Sequence, residues 1–389
     1  MILAHRIQLD PTVAQACYFA RACGTARFVY NWALAEWNRL YAAGEKPNGR
    51  DLRRLFNSLK YEQFTWLKDI HRDAHAQPFA NLQWAFKAWW RGDAERPTFK
   101  KKGKVRDSFY VANDKFTVDG FAVRLPMIGS VRTTEQLRFT GKIMSATVSR
   151  EADHWFISIA VNVATPKRGA PSGEPVGVDL GLTTFATLST GEKIEAPKPL
   201  KAALRRLRRA CRWHSRKVKG SANRAKAAVR LAKIHHRIKN IRQDFIHKFT
   251  TRLAKTHGQI GIEDLNVKGL LKNHRLARAI SDVAWNETRR QLEYKIVLYG
   301  STLTTFDRFY PSSKACSHCG CVAGKMPLSC REWTCAECGT VHDRDGNAAQ
   351  NLKPIPAACG ESTSGESARS KGARRTGNYN GEDSLVLTP

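Results

Sequence analysis

The residues best equipped for chemistry stand close together between Phe306 and Leu352. Cys316 and Cys319 form one Cys-x-x-Cys pair, Cys335 and Cys338 form a second, and fifteen residues separate the two. Each pair lets two thiolates converge on one ion, and two such knuckles complete a closed tetrahedral zinc site. In a module this small, the free energy of binding the ion is also free energy of folding. Two disulfides are the alternative chemistry, but they belong to oxidising compartments, and nothing in the chain reads as secreted. Cys321 and Cys330 lie in the same loop outside any Cys-x-x-Cys pair and are read as bystanders, with His318 and His342 weaker candidates still.

Directly after the second knuckle comes HDRDGNAAQNL, from His342 to Leu352, a short acidic turn feeding a helix. By itself it predicts only a helix start, with Asp345 at the N-cap and Asp343 solvated. Two acidic positions upstream change its meaning. In VGVDLG, alternation puts Val176 and Val178 on one face of a strand and Gly177 and Asp179 on the other. A carboxylate in the middle of an apolar strand is costly unless it is solvated, paired or bound to metal. Ile260 and Ile262 mark another strand, which Glu263 ends with Asp264 beside it. Asp179, Glu263 and Asp345 thus fall on a strand, a strand end and a helix start, as in a sheet whose acids meet only in three dimensions. Three carboxylates in one cleft repel one another, so the site makes sense only with divalent cations between them. Oxygen-only ligands favour Mg2+ or Mn2+ over zinc, which separates this site chemically from the thiolate cluster.

The elements that must position these groups follow from periodicity. Ile2 to Leu9 alternates weakly and reads as a strand closed by Asp10-Pro11, and a helical region runs from about Thr12 to Trp90. Its aromatics Phe28, Tyr30, Trp32, Trp37, Trp84, Phe86, Trp89 and Trp90 are expected mostly in a core rather than stacked on bases. RPTFKKKGKVR, from Arg96 to Arg106, is a basic loop of the kind that grips backbone phosphates, with Lys100, Lys101 and Lys102 at its centre. From Phe116 to Val163 the period changes to two and predicts two hairpins of a small antiparallel sheet or barrel, which the first strand can join. Ala164 to Pro175 is a Pro/Gly-rich linker and a domain boundary. Beyond Asp179, Gly181 permits a tight turn and Thr183 to Leu188 supplies a return strand.

Lys201 to Asn240 holds fifteen Lys and Arg and no Asp or Glu. Leu231, Ile234, Ile238, Ile241, Phe245, Phe249 and Leu253 recur at three- and four-residue spacing, predicting one long amphipathic helix. Its other face carries Lys233, Arg237, Lys239 and Arg242, and so unopposed a charge run calls for phosphates more than for water. The whole chain agrees: 65 Lys plus Arg against 34 Asp plus Glu give a formal net charge of +31 over 389 residues. Nucleic acid is the default partner for such an excess. No segment approaches the roughly 18 apolar residues of a membrane-spanning helix, and His5 and Arg6 interrupt any secretory signal. The scattered Cys17, Cys23, Cys211 and Cys359 fit reduced, intracellular cysteine usage. The Gly/Ser-rich tail, residues 357–389, reads as disordered.

These motifs resemble the TnpB (OrfB) proteins of bacterial insertion sequences, relatives of the type V CRISPR effectors. The resemblance rests on GVDLG around Asp179, IEDL around Glu263, FYPSSKACSHCG from Phe309 to Gly320, CAECG from Cys335 to Gly339 and DRDGNAAQNL from Asp343 to Leu352. GTARFVYNWAL (Gly24 to Leu34) and RPTFKKKG (Arg96 to Gly103) extend it towards the N-terminus. It implies an α/β multidomain chain with a RuvC-like nuclease domain of RNase H fold over residues 171–308 and 341–356. A four-cysteine zinc ribbon (residues 309–340) would split that domain. A wedge-like β-barrel (residues 1–11 and 96–170), interrupted by a helical recognition insert (residues 12–95), would precede it. It further implies an RNA-guided DNA endonuclease that takes a guide RNA from the transposon end and cuts double-stranded DNA beside a short adjacent motif in the prokaryotic cytoplasm. Asp179, Glu263 and Asp345 would hold two Mg2+ ions, one activating water and one stabilising the leaving oxygen, with Asp343 the second choice for the third ligand. An RNA-guided repressor without cleavage and a DNA-strand transferase are the alternatives from other classes.

Overall fold

A computed structural model describes residues 1–164, 169–327 and 329–355, which divide after Ala164 into two compact units. The expectation of a disordered tail falls outside the described residues.

The first unit is built on strand β1 (Ile2–Asp10). Thr12 then caps helix α1 (Val13–Ala42) through a capping box with Gln15. Helices α2 (Gly49–Gln63) and α3 (Arg72–Trp90) follow. Six further strands complete the unit: β2 (Ser108–Ala112), β3 (Thr117–Asp119), β4 (Ala122–Leu125), β5 (Gly129–Thr133), β6 (Lys142–Glu151) and β7 (His154–Asn162). They form one antiparallel sheet in the order β2-β6-β7-β1-β5-β4-β3. Both expected hairpins are present as β3–β4 and β6–β7. The first strand joins them across the helical insert, with Leu9 opposite Trp155 and Ile2 opposite Asn162. Ile7, Val148, Ile157 and Ile159 are fully buried there, each burial contributing roughly 1.5–3 kcal/mol.

The helices keep a second core, centred on Val29, Leu34, Trp37, Leu52, Phe56, Phe79 and Phe86, with the Trp37 and Phe86 rings stacked 4.2 Å apart. The aromatic expectation holds for Tyr30, Trp37 and Phe86 and fails for three tryptophans. Trp84, Trp89 and Trp90 are 44 %, 37 % and 58 % exposed, although the Trp90 ring still lies 6.2 Å from that of Trp37 on α1. In the basic loop, Lys101 and Lys102 are exposed, whereas Lys100 lies with its Nζ 3.6 Å over the Tyr30 ring. Asn31 holds the Lys100 backbone from both sides, donating to its carbonyl and accepting from its N–H.

The second unit holds a mixed sheet. Strands β8 (Val176–Leu180), β9 (Thr184–Leu188) and β10 (Lys193–Glu195) run as an antiparallel meander. Helices α4 (Pro199–Ser215) and α5 (Ala222–Thr256) carry the chain to β11 (Gln259–Glu263). The helices α6 (Val267–Leu270), α7 (Ala277–Val283) and α8 (Trp285–Tyr299) lead on to β12 (Thr302–Phe306). The order is β10-β9-β8-β11-β12, with β11 parallel to both β8 and β12. Val176, Val178, Ile260 and Ile262 pack one face against Phe249, Leu253 and Leu292. After the cysteine segment come β13 (Glu332–Thr334), β14 (Val341–Asp343) and α9 (Arg344–Asn351).

The single basic helix expected from periodicity is a hairpin of two, broken between Ser215 and Ser221, where Gly220 takes a positive φ of 84°. Its apolar stripe is also divided. Leu231, Ile234 and Ile238 pack on α4, Phe249 and Leu253 pack on the sheet, and Ile241 between them is 40 % exposed. Among the described residues no helix is long and apolar enough to cross a membrane.

Candidate active site and metal cluster

Two neighbouring parallel strands position the first two acids. Gly177 pairs with Gly261 and Val178 with Ile262, so Asp179 and Glu263 are the next residues along their strands and leave the sheet on the same face. Helix α9 covers that face. A Cβ on Gly177 would collide with the Ala349 carbonyl, and one on Gly261 with the Leu352 carbonyl. Only glycine admits so close an approach, and Ala348 and Ala349 are the small side chains that complete it. With its last turns seated on the glycine pair, α9 brings its first turn, and Asp345 in it, to the acidic end of the two strands.

Asp179, Glu263 and Asp345 line one open cleft of about 550 Å³. Burial pushes the Asp179 carboxyl up to about 7, and the nearby Asp345 and Glu263 push it the same way, with Arg344 partly offsetting them. Burial and the adjacent Asp264 raise Glu263 as well. Asp264 itself is held low, first by the Arg308 guanidinium and then by Arg289. The same cleft is lined by Arg308, Lys314, Arg331 and Arg344, with Arg331 3.5 Å from the Asp345 carboxylate. These cations were not singled out from the sequence. Lys314 and Arg344 lie within two of the motifs quoted above, and Arg308 and Arg331 in the same segment from Phe306 to Leu352.

One assignment in the acidic turn is corrected. Asp343, not Asp345, caps α9, accepting from the Gly346 N–H at 2.9 Å. Asp345 is therefore inside the first turn, its side chain turned to the cleft, while Asp343 lies 3.1 Å from Lys193 and does not line the cleft. The shift of two residues follows from Asp343 ending β14 in extended conformation, which an N-cap requires.

Cys316, Cys319, Cys335 and Cys338 bring their four sulfurs within 4.8 Å of one another. Among the described residues this is the one group of three or more His, Cys, Asp and Glu side chains so placed to hold a metal ion. Cys316 and Cys338 are 3.6 Å apart and Cys319 and Cys335 3.5 Å apart. A tetrahedron with metal–sulfur bonds of about 2.3 Å has edges of about 3.8 Å, so the donor set fits one tetrahedral ion. Each knuckle closes on a glycine of positive φ, Gly320 and Gly339, whose N–H bonds back to the carbonyl of Cys316 or Cys335. Cys321 and Cys330 stand outside the cluster, the Cys330 thiol donating to the Glu332 carbonyl. The ribbon is fastened to α9. Asn347 and Asn351 both donate to the Ala315 carbonyl, and Asn347 accepts from the Ser317 N–H.

On the basic hairpin Lys233 and Arg237 are exposed and Lys239 is half-buried. Arg242, assigned from the sequence to the same basic face, reaches Asp282 at 3.0 Å. Asp282 is buried and also accepts from the first N–H groups of α4, those of Leu200 and Lys201. It pins α4, α5 and α7 together, and sequence spacing gave no sign of it.

An α/β chain with an acidic cleft and a four-cysteine ribbon is the class that this fold and site define. Comparison with known proteins narrows it. The OrfB_IS605 family model, described as a probable transposase, matches residues 158–274, and the Cas12f1-like TNB domain matches residues 285–352. A model described as a helix-turn-helix domain matches residues 1–46, where the structure has β1 and the single helix α1. A Streptomyces pristinaespiralis protein, provisionally named an RNA-guided DNA endonuclease, is 39 % identical over 92 % of this chain and 91 % of its own. InsQ of Escherichia coli K12, named in the same way, is 34 % identical over 92 % of this chain and 94 % of its own. A cryo-EM structure of a Cas12f1–sgRNA–target DNA complex shares the fold at a TM-score of 0.54 and 14 % identity, covering 86 % of this chain and 81 % of that one. The chain belongs to the TnpB (OrfB) family.

Proposed function

We propose that the chain is an RNA-guided DNA endonuclease that hydrolyses phosphodiester bonds at the Asp179–Glu263–Asp345 cleft. The observation that carries this reading is the convergence of three acids from three separated segments on one cleft, lined also by four cations. The names of the full-length relatives agree with it. The strand order, an antiparallel meander followed by two parallel strands, supports an RNase H-type, RuvC-like domain over residues 171–308 and 341–356. One apolar core touches both end strands of the first sheet, through Phe109 on β2 and Val118 on β3, which supports a β-barrel with residues 12–95 as its helical insert.

The carboxylates fit divalent cations. Burial first, and then repulsion from Asp345 and Glu263, raises Asp179, and the oxygen-only chemistry of the three suits Mg2+ or Mn2+. Bound there, such cations supply an activated water and stabilise the leaving oxygen. Asp179, Glu263 and Asp345 would hold them. Arg308, Lys314 and Arg331 neutralise and orient the phosphate entering the cleft. The four cysteines would hold a structural Zn2+ that keeps α9, and Asp345 on it, in register with the sheet. Lys101, Lys102, Lys233, Arg237 and Lys239 offer phosphate contacts for guide RNA and double-stranded target DNA, with Lys100 supporting the first loop from beneath. A substrate of this kind places the protein in the cytoplasm with the nucleoid.

The test is cleavage of a guide-matched duplex by the purified ribonucleoprotein. Asp179→Ala, Glu263→Ala and Asp345→Ala should each abolish cutting while retaining RNA and target binding. Wild-type protein that binds and never cuts would favour a repressor, and strand joining without guide RNA would favour a transferase. Cutting undiminished by EDTA, or by any one of the three substitutions, would refute the assignment.

A further inference from the structure

The two sulfurs deepest in the cysteine cluster are Cys316 and Cys335, at 1 % and 2 % exposed, while Cys319 and Cys338 face solvent. Four thiolates around one divalent ion leave about two negative charges, and water compensates only the exposed pair. The buried sulfurs need donors from the protein. Cys316 has a candidate, since His342 Nε2 lies 3.0 Å from its Sγ. His342 is itself 8 % exposed and is held in place by the Trp333 ring, 4.8 Å away across the β13–β14 pair.

The position of His342 in the chain gives this contact a consequence. His342 is three residues before Asp345, and Asn347 is two residues after it. His342 grips Cys316, Asn347 grips Ser317 and Ala315, and Asn351 grips Ala315 again. Three consecutive residues of the first knuckle are thus held by side chains on both sides of Asp345. We propose that His342 is a positioning residue: its Nε2–H donates to the Cys316 thiolate of the loaded ribbon and so couples the structural metal to the segment that carries Asp345. This rests on the reading of the cluster as a zinc site.

The experiment uses the full-length protein loaded with zinc or, in parallel, with Co2+. Zinc transfer to a chromophoric chelator should be about 10-fold faster in His342→Phe, the size expected when a donor to a metal ligand is lost. His342→Gln, which keeps an N–H donor, should recover most of that difference. The sulfur-to-cobalt charge-transfer band should move in His342→Phe and keep its wild-type position in His342→Gln, with four-sulfur intensity throughout. Hydrogen exchange of the α9 amides should quicken in His342→Phe in step with zinc loss. Wild-type transfer rates in His342→Phe would overturn the proposal, as would a wild-type cobalt spectrum showing three sulfurs and one nitrogen. If His342→Phe does not fold, His342→Ala takes its place, and a wild-type transfer rate with an unmoved band in that variant overturns the proposal. Zinc content of the wild type separates the two readings. Protein that binds no zinc sinks the zinc site, whereas loaded protein indifferent to position 342 sinks this proposal alone.

Discussion

Asp179 carries the clearest pH consequence. Its folded carboxyl titrates near 7 against an ordinary 3.8, raised by burial and by Asp345 and Glu263. A raised carboxyl favours the folded state fully below its unfolded value, and that contribution is lost as pH climbs through the folded one. In metal-free protein, Asp179→Asn should therefore raise Tm at pH 8 and change it far less at pH 4, by differential scanning fluorimetry in EDTA. Mg2+, which binds the ionised form, should lose affinity as pH falls below about 7. Equal Tm changes at both pH values would place the cause elsewhere. Asp343 answers to a different physics. As the N-cap of α9, its replacement by Ala should cost about 1 kcal/mol of stability. Cleavage should stay within several-fold of wild type, while Asp345→Ala removes it. Loss of cutting in Asp343→Ala with activity kept in Asp345→Ala would reverse the assignment of the third ligand.

Among the elements, α9 depends most on its neighbours. Its eight residues, Arg344–Asn351, are too few to persist alone, and it stands on two glycines, one cap and two asparagines. Gly261→Ala should displace it, at the cost of roughly 1–3 kcal/mol that overpacking exacts, and lower cleavage with it. A crystal structure showing α9 unmoved in that variant would contradict this account. The ribbon is the other support. Cys335→Ser should lose zinc by elemental analysis and expose α9 to proteolysis, whereas full zinc occupancy would point to Cys321 or Cys330 as a substitute ligand. Periodicity announced the apolar stripe of α5 but missed the hairpin. A stripe reports which residues are buried, not whether two packing partners share them.

At the scale of the whole molecule the charge dominates. A formal +31 must be offset by phosphates for the chain to act near DNA at cellular salt. Binding should weaken linearly in log–log salt dependence, with a slope of about −0.9 per duplex phosphate contacted. Replacing Lys233, Arg237 and Lys239 together by Gln should flatten that slope by about two to three units. An unchanged slope would leave the hairpin merely solvated and move the contacts to other basic surfaces, Lys101 and Lys102 among them.

The amino-acid sequence by itself determined the local chemistry: the two thiolate knuckles, the alternation of β8 and β11, and the cationic character of Lys201 to Asn240. Each is set by spacing within one segment, where geometry follows from backbone period alone. The two hairpins of the first sheet, and the place of β1 among them, were legible for the same reason. Tertiary structure decided what depends on separate segments meeting. It selected Asp345 over Asp343 for the cleft, because β14 ends where the cap must begin. It left Trp84, Trp89 and Trp90 exposed, since hydrophobicity does not say how far neighbouring elements will cover a ring. It also set Arg308 and Arg331 beside the acids, and Asp282 beneath two helices, through contacts between residues far apart in sequence that no period records.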